Sequence, residues 1–369
     1  MTYIDRRPLA IAGLWSIAGF IGTGGLALVP YLSDHGQDWH LFYQRWSILA
    51  GISFLAVFFL LPETYFKRPT VAFDGLILMQ SATEKLTVYE DAEFDSELYR
   101  DLPDFPQTDE QQPGRFKQFA SQFAITRSPF ASWKAMGRCY LQIAFCAANP
   151  LIFWVVIASA FNFAGMMFIG ATYARILRAP PYSLPSAMIV VVNNCSGFGG
   201  LLAFPATYVL YKVLNLLSKR NGGVREAEHY LIAYVFPVIT GALSTLIYGL
   251  AVHYQWHFAF YYLAYGLNGF SWVTLSISNT LWVTEAFPRW AAPALVVVGG
   301  GCYLSSFSMS FALVPWIATH GYLSVGIQIS ALQIVGGFIA LPIAFWGKSA
   351  RQIIQGRWAN ERSGALRPL

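Results

Sequence analysis

Eight stretches of this chain are free of charged residues, centred on residues 10–32, 46–62, 149–172, 184–211, 230–252, 258–282, 291–317 and 321–346. An apolar run of about 18 residues or more, rising about 1.5 Å per helical residue, crosses the ~30 Å hydrocarbon core of a bilayer. In that medium every backbone N–H and C=O must be satisfied within the protein, which leaves helices or a closed barrel. Barrel strands alternate in polarity and are about half as long, whereas these runs are continuously apolar. The chain is therefore predicted to be an all-α membrane protein. Charged residues make up only 12% of it, against about 25% in soluble domains.

Basic residues fix the predicted orientation, because loops rich in Lys and Arg stay on the cytoplasmic side. With the N-terminus inside, 21 of the 24 Lys and Arg residues fall on the inner side, leaving Arg45, Arg175 and Arg178 outside. An even number of crossings then places both termini in the cytoplasm. The basic balance is accounted for by this retention pattern, so no nucleic-acid partner is expected. The first run follows "MTYIDRRP" without a small-residue cleavage site, and is expected to act as its own insertion signal.

Several chemistries are not expected from the sequence. The four cysteines lack the spacing of a disulfide framework or a zinc site and read as core residues. No phosphate-binding or zinc-peptidase motif occurs, and no pair of intramembrane acids could do general acid and base work. Neither an enzyme nor a bound metal or other cofactor is expected. His253 and His257, four residues apart, could share a helical face as a metal pair or pH sensor, although "HYQWH" also suits an interfacial aromatic belt.

The runs are unevenly divided. Residues 1–62 hold two, residues 63–148 form a polar central loop, residues 149–347 hold six, and 348–369 are a basic tail. The loop carries 12 of the 19 acidic residues, concentrated in "YEDAEFDSELYRDLPDFPQTDEQQP", where few apolar groups could offset ordering entropy. Its flank "RPTVAFDGLILMQSATEKLTVYE" alternates enough for a strand or a helix lying on the membrane surface, and an interfacial helix is expected around "ASWKAMGRCYLQIAF".

Four segments carry a family resemblance. "DWHLFYQRWSI" (38–48) and "LPET" (61–64) look like the opening and closing of a sixth helix. "KRNGGVREAEHYL" (219–231) resembles the segment between helices eight and nine, and "NTLWVTEAFPRWAAPAL" (279–295) the turn from helix ten to eleven. In these the chain resembles the major facilitator superfamily, in particular fungal twelve-spanning drug:proton antiporters, from helix five to helix twelve. The resemblance implies a complete C-terminal six-helix bundle and the last two helices of the N-terminal bundle. The four helices before them would be missing or supplied by a partner chain. It also implies that the central loop joins two bundles that rock about a central site, and it favours the plasma membrane. The sequence departs from the family in lacking a Gly-Pro pair near Gly19, Gly22, Gly24 and Gly25, and an acid in "GGLLAFPATYVLYK". Close glycines, there and in "CSGFGGLL", read as helix contacts.

By that resemblance the third, fourth, sixth and seventh runs line the C-terminal half of a substrate cavity. Polar groups in lipid face a partner helix or a watery path, which makes Asn162, Asn193, Asn194 and Asn268 candidate substrate contacts or interhelical hydrogen bonds. Tyr265, Asn268 and Trp272 recur at three- and four-residue spacing and so share a face suited to organic cations or drug-like molecules, or to aromatic stacking. Glu285, with Arg289 four residues on, is a candidate gate or ion pair. No acid sits at mid-depth in any run, so a proton-coupling carboxylate is expected in the missing helices. The expected function is secondary active transport of small organic molecules (drug-like, organic cation or polyamine) by alternating access, proton-coupled in the full-length form. The alternative is a truncated, non-transporting membrane regulator or pseudogene product.

Overall fold

The computed structural model describes residues 7–32, 39–60, 76–80, 86–90, 133–221, 226–287 and 290–358. Helices cover all eight uncharged runs. In chain order they are α1 (Arg7–Gly25, continued by a short turn to Leu32), α2 (Trp39–Leu60), α3 (Trp133–Ala148), α4 (Pro150–Arg178), α5 (Ser186–Arg220), α6 (Val235–His253, entered through the 3-10 turn Ala227–Tyr234), α7 (Ala259–Ala286), α8 (Ala291–Phe338) and α9 (Ala340–Trp358). A hairpin, β1 (Leu76–Gln80) and β2 (Leu86–Glu90), pairs antiparallel with Leu78 opposite Val88, taking up the strand option on the flank of the central loop. The acidic segment 91–132 lies outside the described residues.

The chain divides into two bodies. One comprises residues 1–31 and 138–351, the other 32–137 and 352–369. In the second, α2 has no residue buried along its apolar length, and the hairpin belongs to the same body. In the first, α4 to α8 form a bundle, with α1 against α5 and α7.

Among the described residues six stretches are long and apolar enough to cross a membrane, fewer than the eight predicted runs for two physical reasons. The last stretch, Ala291–Arg351, is long enough to cross twice and bends at Gly321 (φ 75°, ψ 166°), a conformation open to glycine alone. Trp316 Nε1 donates to Gln328 Oε1 at 2.7 Å. Twelve residues of straight helix would separate the two by about 18 Å, so the limbs of α8 on either side of Gly321 fold back on each other. The other missing crossing is α7, rich in Ser, Thr, Asn and Tyr. It is also the most enclosed helix, with every residue from Val273 to Asn279 buried. Neighbouring helices shield it from lipid, which frees it from the need to be apolar.

Glycines set the spacing around α7. A Cβ on Gly199 would collide with the Gly266 carbonyl oxygen, and one on Gly269 with that of Ser196, so α5 and α7 touch backbone to backbone. On the opposite flank of α5, a Cβ on Gly197 would lie 3.3 Å from Gly24 Cα, and one on Gly19 would strike Val273. Gly19 and Gly24 therefore admit α1 to the bundle, whereas Gly22 and Gly25 face open space. At one end of the bundle an apolar cluster forms around Phe168, Leu177, Tyr248, Tyr261 and Ile329.

Candidate functional site

The candidate residues fall into four separate places in the first body. Asn162 and Asn268 lie in the bundle interior. Asn162 of α4 donates through Nδ2 to Ser271 Oγ of α7, and Ser271 donates to the Pro237 carbonyl of α6 at 2.7 Å. Gln333, on the second limb of α8, donates to the Phe161 carbonyl at 3.3 Å. A Cβ on Gly165 would meet the Gln333 and Asn268 amides, and one on Gly241 would meet Gln333, Ser271 and Asn162. Two glycines thus hold four helices at the distance where three amides and a hydroxyl converge. Asn268 is fully buried. Interhelical polar contacts of this kind hold helices together in lipid, at about 0.6 kcal/mol each on average.

Asn193 of α5 is buried near the Tyr173 hydroxyl of α4. The Tyr173 ring stands 5.7 Å from that of Tyr265 on α7, and the missing side chain of Gly170 leaves room for the Tyr265 hydroxyl. Asn194 is half-buried on an adjoining face of α5.

Trp272 is placed differently again. It is half-buried and meets Phe163 of α4 edge-on at 5.0 Å; Phe163 in turn meets Tyr303 of α8 at 6.5 Å. Tyr303 is 67% exposed, so this aromatic wall across α4, α7 and the first limb of α8 is open on one side. Tyr265, Asn268 and Trp272 share a helical stripe, yet each meets a different neighbour. Phe163 and Tyr303 were not singled out from sequence, because a lone aromatic in an apolar run carries no signal until its partners are known.

Glu285, at the end of α7, accepts a hydrogen bond from Arg7 Nη1 of α1 at 2.7 Å, and Trp15 Nε1 donates to Thr280 Oγ1 at 3.2 Å two turns deeper. Arg289 lies outside the described residues. Both α1 contacts reach α7 from the far end of the sequence.

A further ionic group, not foreseen, joins the start of α6 to α9. Arg351 donates to Glu228 Oε1 through Nε (3.1 Å) and Nη2 (2.6 Å), and through Nη1 to the Ala286 carbonyl at 3.3 Å. Beside it Lys348 donates to Glu226 at 2.7 Å, and Glu226 and His229 form a reciprocal cap on the 3-10 turn. The Lys348 hydrogen bond, with the Lys348 charge, holds the Glu226 carboxyl below its ordinary value. Its contribution to stability is therefore present above the ordinary carboxylate range and lost as pH falls through the lowered value. Lys348→Gln should raise the titration of Glu226, read by carbon NMR of labelled glutamate. The pair is exposed, so the melting temperature should change little.

His253 and His257 each sit against a neighbouring ring, Tyr254 at 4.8 Å and Phe258 at 4.1 Å. Among the described residues no group of three or more His, Cys, Asp or Glu side chains is placed to hold a metal.

Fold and site together define a polytopic helical membrane protein whose polar groups are turned inward. Over 92% of its length the chain is 23% identical to a protein of Schizosaccharomyces pombe described as an uncharacterised MFS-type transporter, a similarity that supports membership of the major facilitator superfamily. The chain spans 62% of the length of that curated relative. No family model matches the chain, and no solved structure matches it.

Proposed function

We propose that this chain forms the C-terminal bundle and two further helices of a secondary transporter, of the drug:proton antiporter type, that moves small organic molecules by alternating access. The observation that carries the reading is the open aromatic wall of Phe163, Trp272 and Tyr303. Such a wall, apolar with few polar groups, suits flat or cationic organic molecules and recognises them by stacking and cation–π attraction. Tyr265 and Asn193 would border this wall; Asn194 would present an amide to it, and Asn162 and Asn268 would shape it from behind. Glu285 with Arg7, and Arg289 beyond it, would form a gate at the inner end. Coupling to protons and residence in the plasma membrane belong to the same proposal.

Transport of a fluorescent organic cation by cells expressing the protein from its own gene tests this. Trp272→Ala should raise the apparent KM severalfold, since a cation–π contact contributes about 0.5–2 kcal/mol, and an uncoupler should abolish extrusion of the cation against its gradient. Unchanged KM in both Trp272→Ala and Tyr303→Ala would remove the aromatic wall from the site, and unchanged transport in Asn268→Ala would remove that residue.

A further inference from the structure

A cavity of about 390 Å³ runs between α4 and the two limbs of α8. Its walls are Ala160, Phe161 and Ala164 of α4, the stripe from Ser305 to Trp316 on the first limb, and Ile329 and Leu332 on the second. Small side chains on α4 and the first limb make the room. Ser308, Ala312 and Leu332 are exposed, so the cavity is a slot open along one side.

Three features restrict what can fill it. The donors along it are already used: Ser305 Oγ donates to the Gly301 carbonyl at 2.7 Å, Ser308 Oγ to Leu304 at 3.2 Å, and Trp316 Nε1 to Gln328. Water resides stably where it finds two to four polar partners, and these walls offer it none of their donors. The slot is also elongated. From Ser305 to Trp316 it follows the helix for about 16 Å, close to half of the ~30 Å hydrocarbon core, the depth of a single leaflet. Finally, its Trp316 end lies one helical turn from the Gly321 bend, where the limbs reverse beside the exposed Thr319 and His320. Tryptophan is favoured at the level of lipid headgroups.

We propose that this slot holds one acyl chain of a bilayer phospholipid, with its headgroup at the Gly321 bend and its chain lying along the first limb of α8. The occupant is hydrocarbon, aligned with the helices and drawn from the surrounding leaflet. Its lining shares no residue with the Trp272 wall, and it does not depend on the transport reading.

The test uses the protein reconstituted in phosphatidylcholine vesicles containing a phospholipid with a photoactivatable diazirine midway along one chain. After irradiation, adducts should concentrate on residues 160–164 and 305–316 rather than on the exposed Phe345 and Trp346 of α9. Ala312→Phe and Ala164→Phe should each lower that labelling severalfold, because the added ring fills the space that the chain would occupy. Ala312 is exposed and its variant should fold even if Ala164→Phe does not. An excess of free fatty acid should leave the labelling intact; competition by it would assign the slot to a free acid and overturn the phospholipid. Adducts spread evenly over the exposed faces, or unaffected by Ala312→Phe, would also overturn the proposal.

Discussion

Alanine at Gly199 is expected to prevent the bundle from assembling, whereas alanine at Gly299 is expected to leave it intact. The contrast rests on what each added methyl group would meet. At Gly199 it would enter the space of the Gly266 carbonyl oxygen, part of a helix backbone that cannot swing aside as a side chain can. Relief requires moving α5 away from α7 along the seam where Gly269 is also pressed against the Ser196 carbonyl. Overpacking in a tightly filled core costs typically about 1–3 kcal/mol. Here the displaced surface includes α1, seated on the other flank of α5, so the cost should reach or exceed that range. At Gly299 the methyl group would meet nothing within 4 Å, and removing a glycine from a helix interior gains about 0.5–1 kcal/mol. Size-exclusion profiles and thermal melts of the two variants in the same detergent separate them: loss of the monodisperse peak for Gly199→Ala, an unchanged or higher melting temperature for Gly299→Ala. Equal behaviour would mean that α5 and α7 do not touch along this seam.

The helices were legible in the sequence because lipid imposes a single demand on length and polarity, and the uncharged runs meet it. Even the weak signal of the 258–282 run had a physical origin, since its Ser, Thr and Asn residues are tolerable only on a helix sheltered by others. The candidate site was legible in residue types and not in arrangement. Three- and four-residue spacing places Tyr265, Asn268 and Trp272 on one stripe. It does not say that the stripe meets Tyr173 at one level, Gly165 at the next, and Phe163 at the third. Glu285 shows the same gap between local and distant information. Spacing offered Arg289, which lies outside the described residues, and gave no hint of Arg7, 278 residues away, whose charge the structure brings to Glu285. The glycines of "CSGFGGLL" announced a close approach but not to what. Their partners, Gly266 on α7 and Gly24 on α1, become known only when the helices are assembled.

Removing either member of the Arg351–Glu228 pair should unfold the end of the bundle that it ties together, and removing both should do less harm. Arg351 is 3% exposed, and the side chains of the pair retain 4% and 10% of their accessible surface. A guanidinium buried this far has surrendered most of its hydration. It recovers the loss through two bonds to one carboxylate oxygen and a third to the Ala286 carbonyl at the end of α7. Glu228→Leu would take from that buried cation the carboxylate that accepts two of its hydrogen bonds, and Arg351→Met would take from the carboxylate the guanidinium that donates them. Breaking a buried pair in this way costs about 3–5 kcal/mol, while replacing both partners by apolar groups of similar volume is often neutral or stabilising. The expected order of melting temperatures is therefore wild type and the Glu228→Leu/Arg351→Met double variant together, with both single variants well below. Three elements meet at this point: the turn into α6, the end of α7 and α9. A single substitution should loosen all three at once, visible as faster amide hydrogen exchange in 227–234 and 283–287. A double variant as unstable as the singles would show that the pair holds its geometry for more than charge balance. Single variants as stable as wild type would show that water reaches the pair and that its charges are not sealed from solvent.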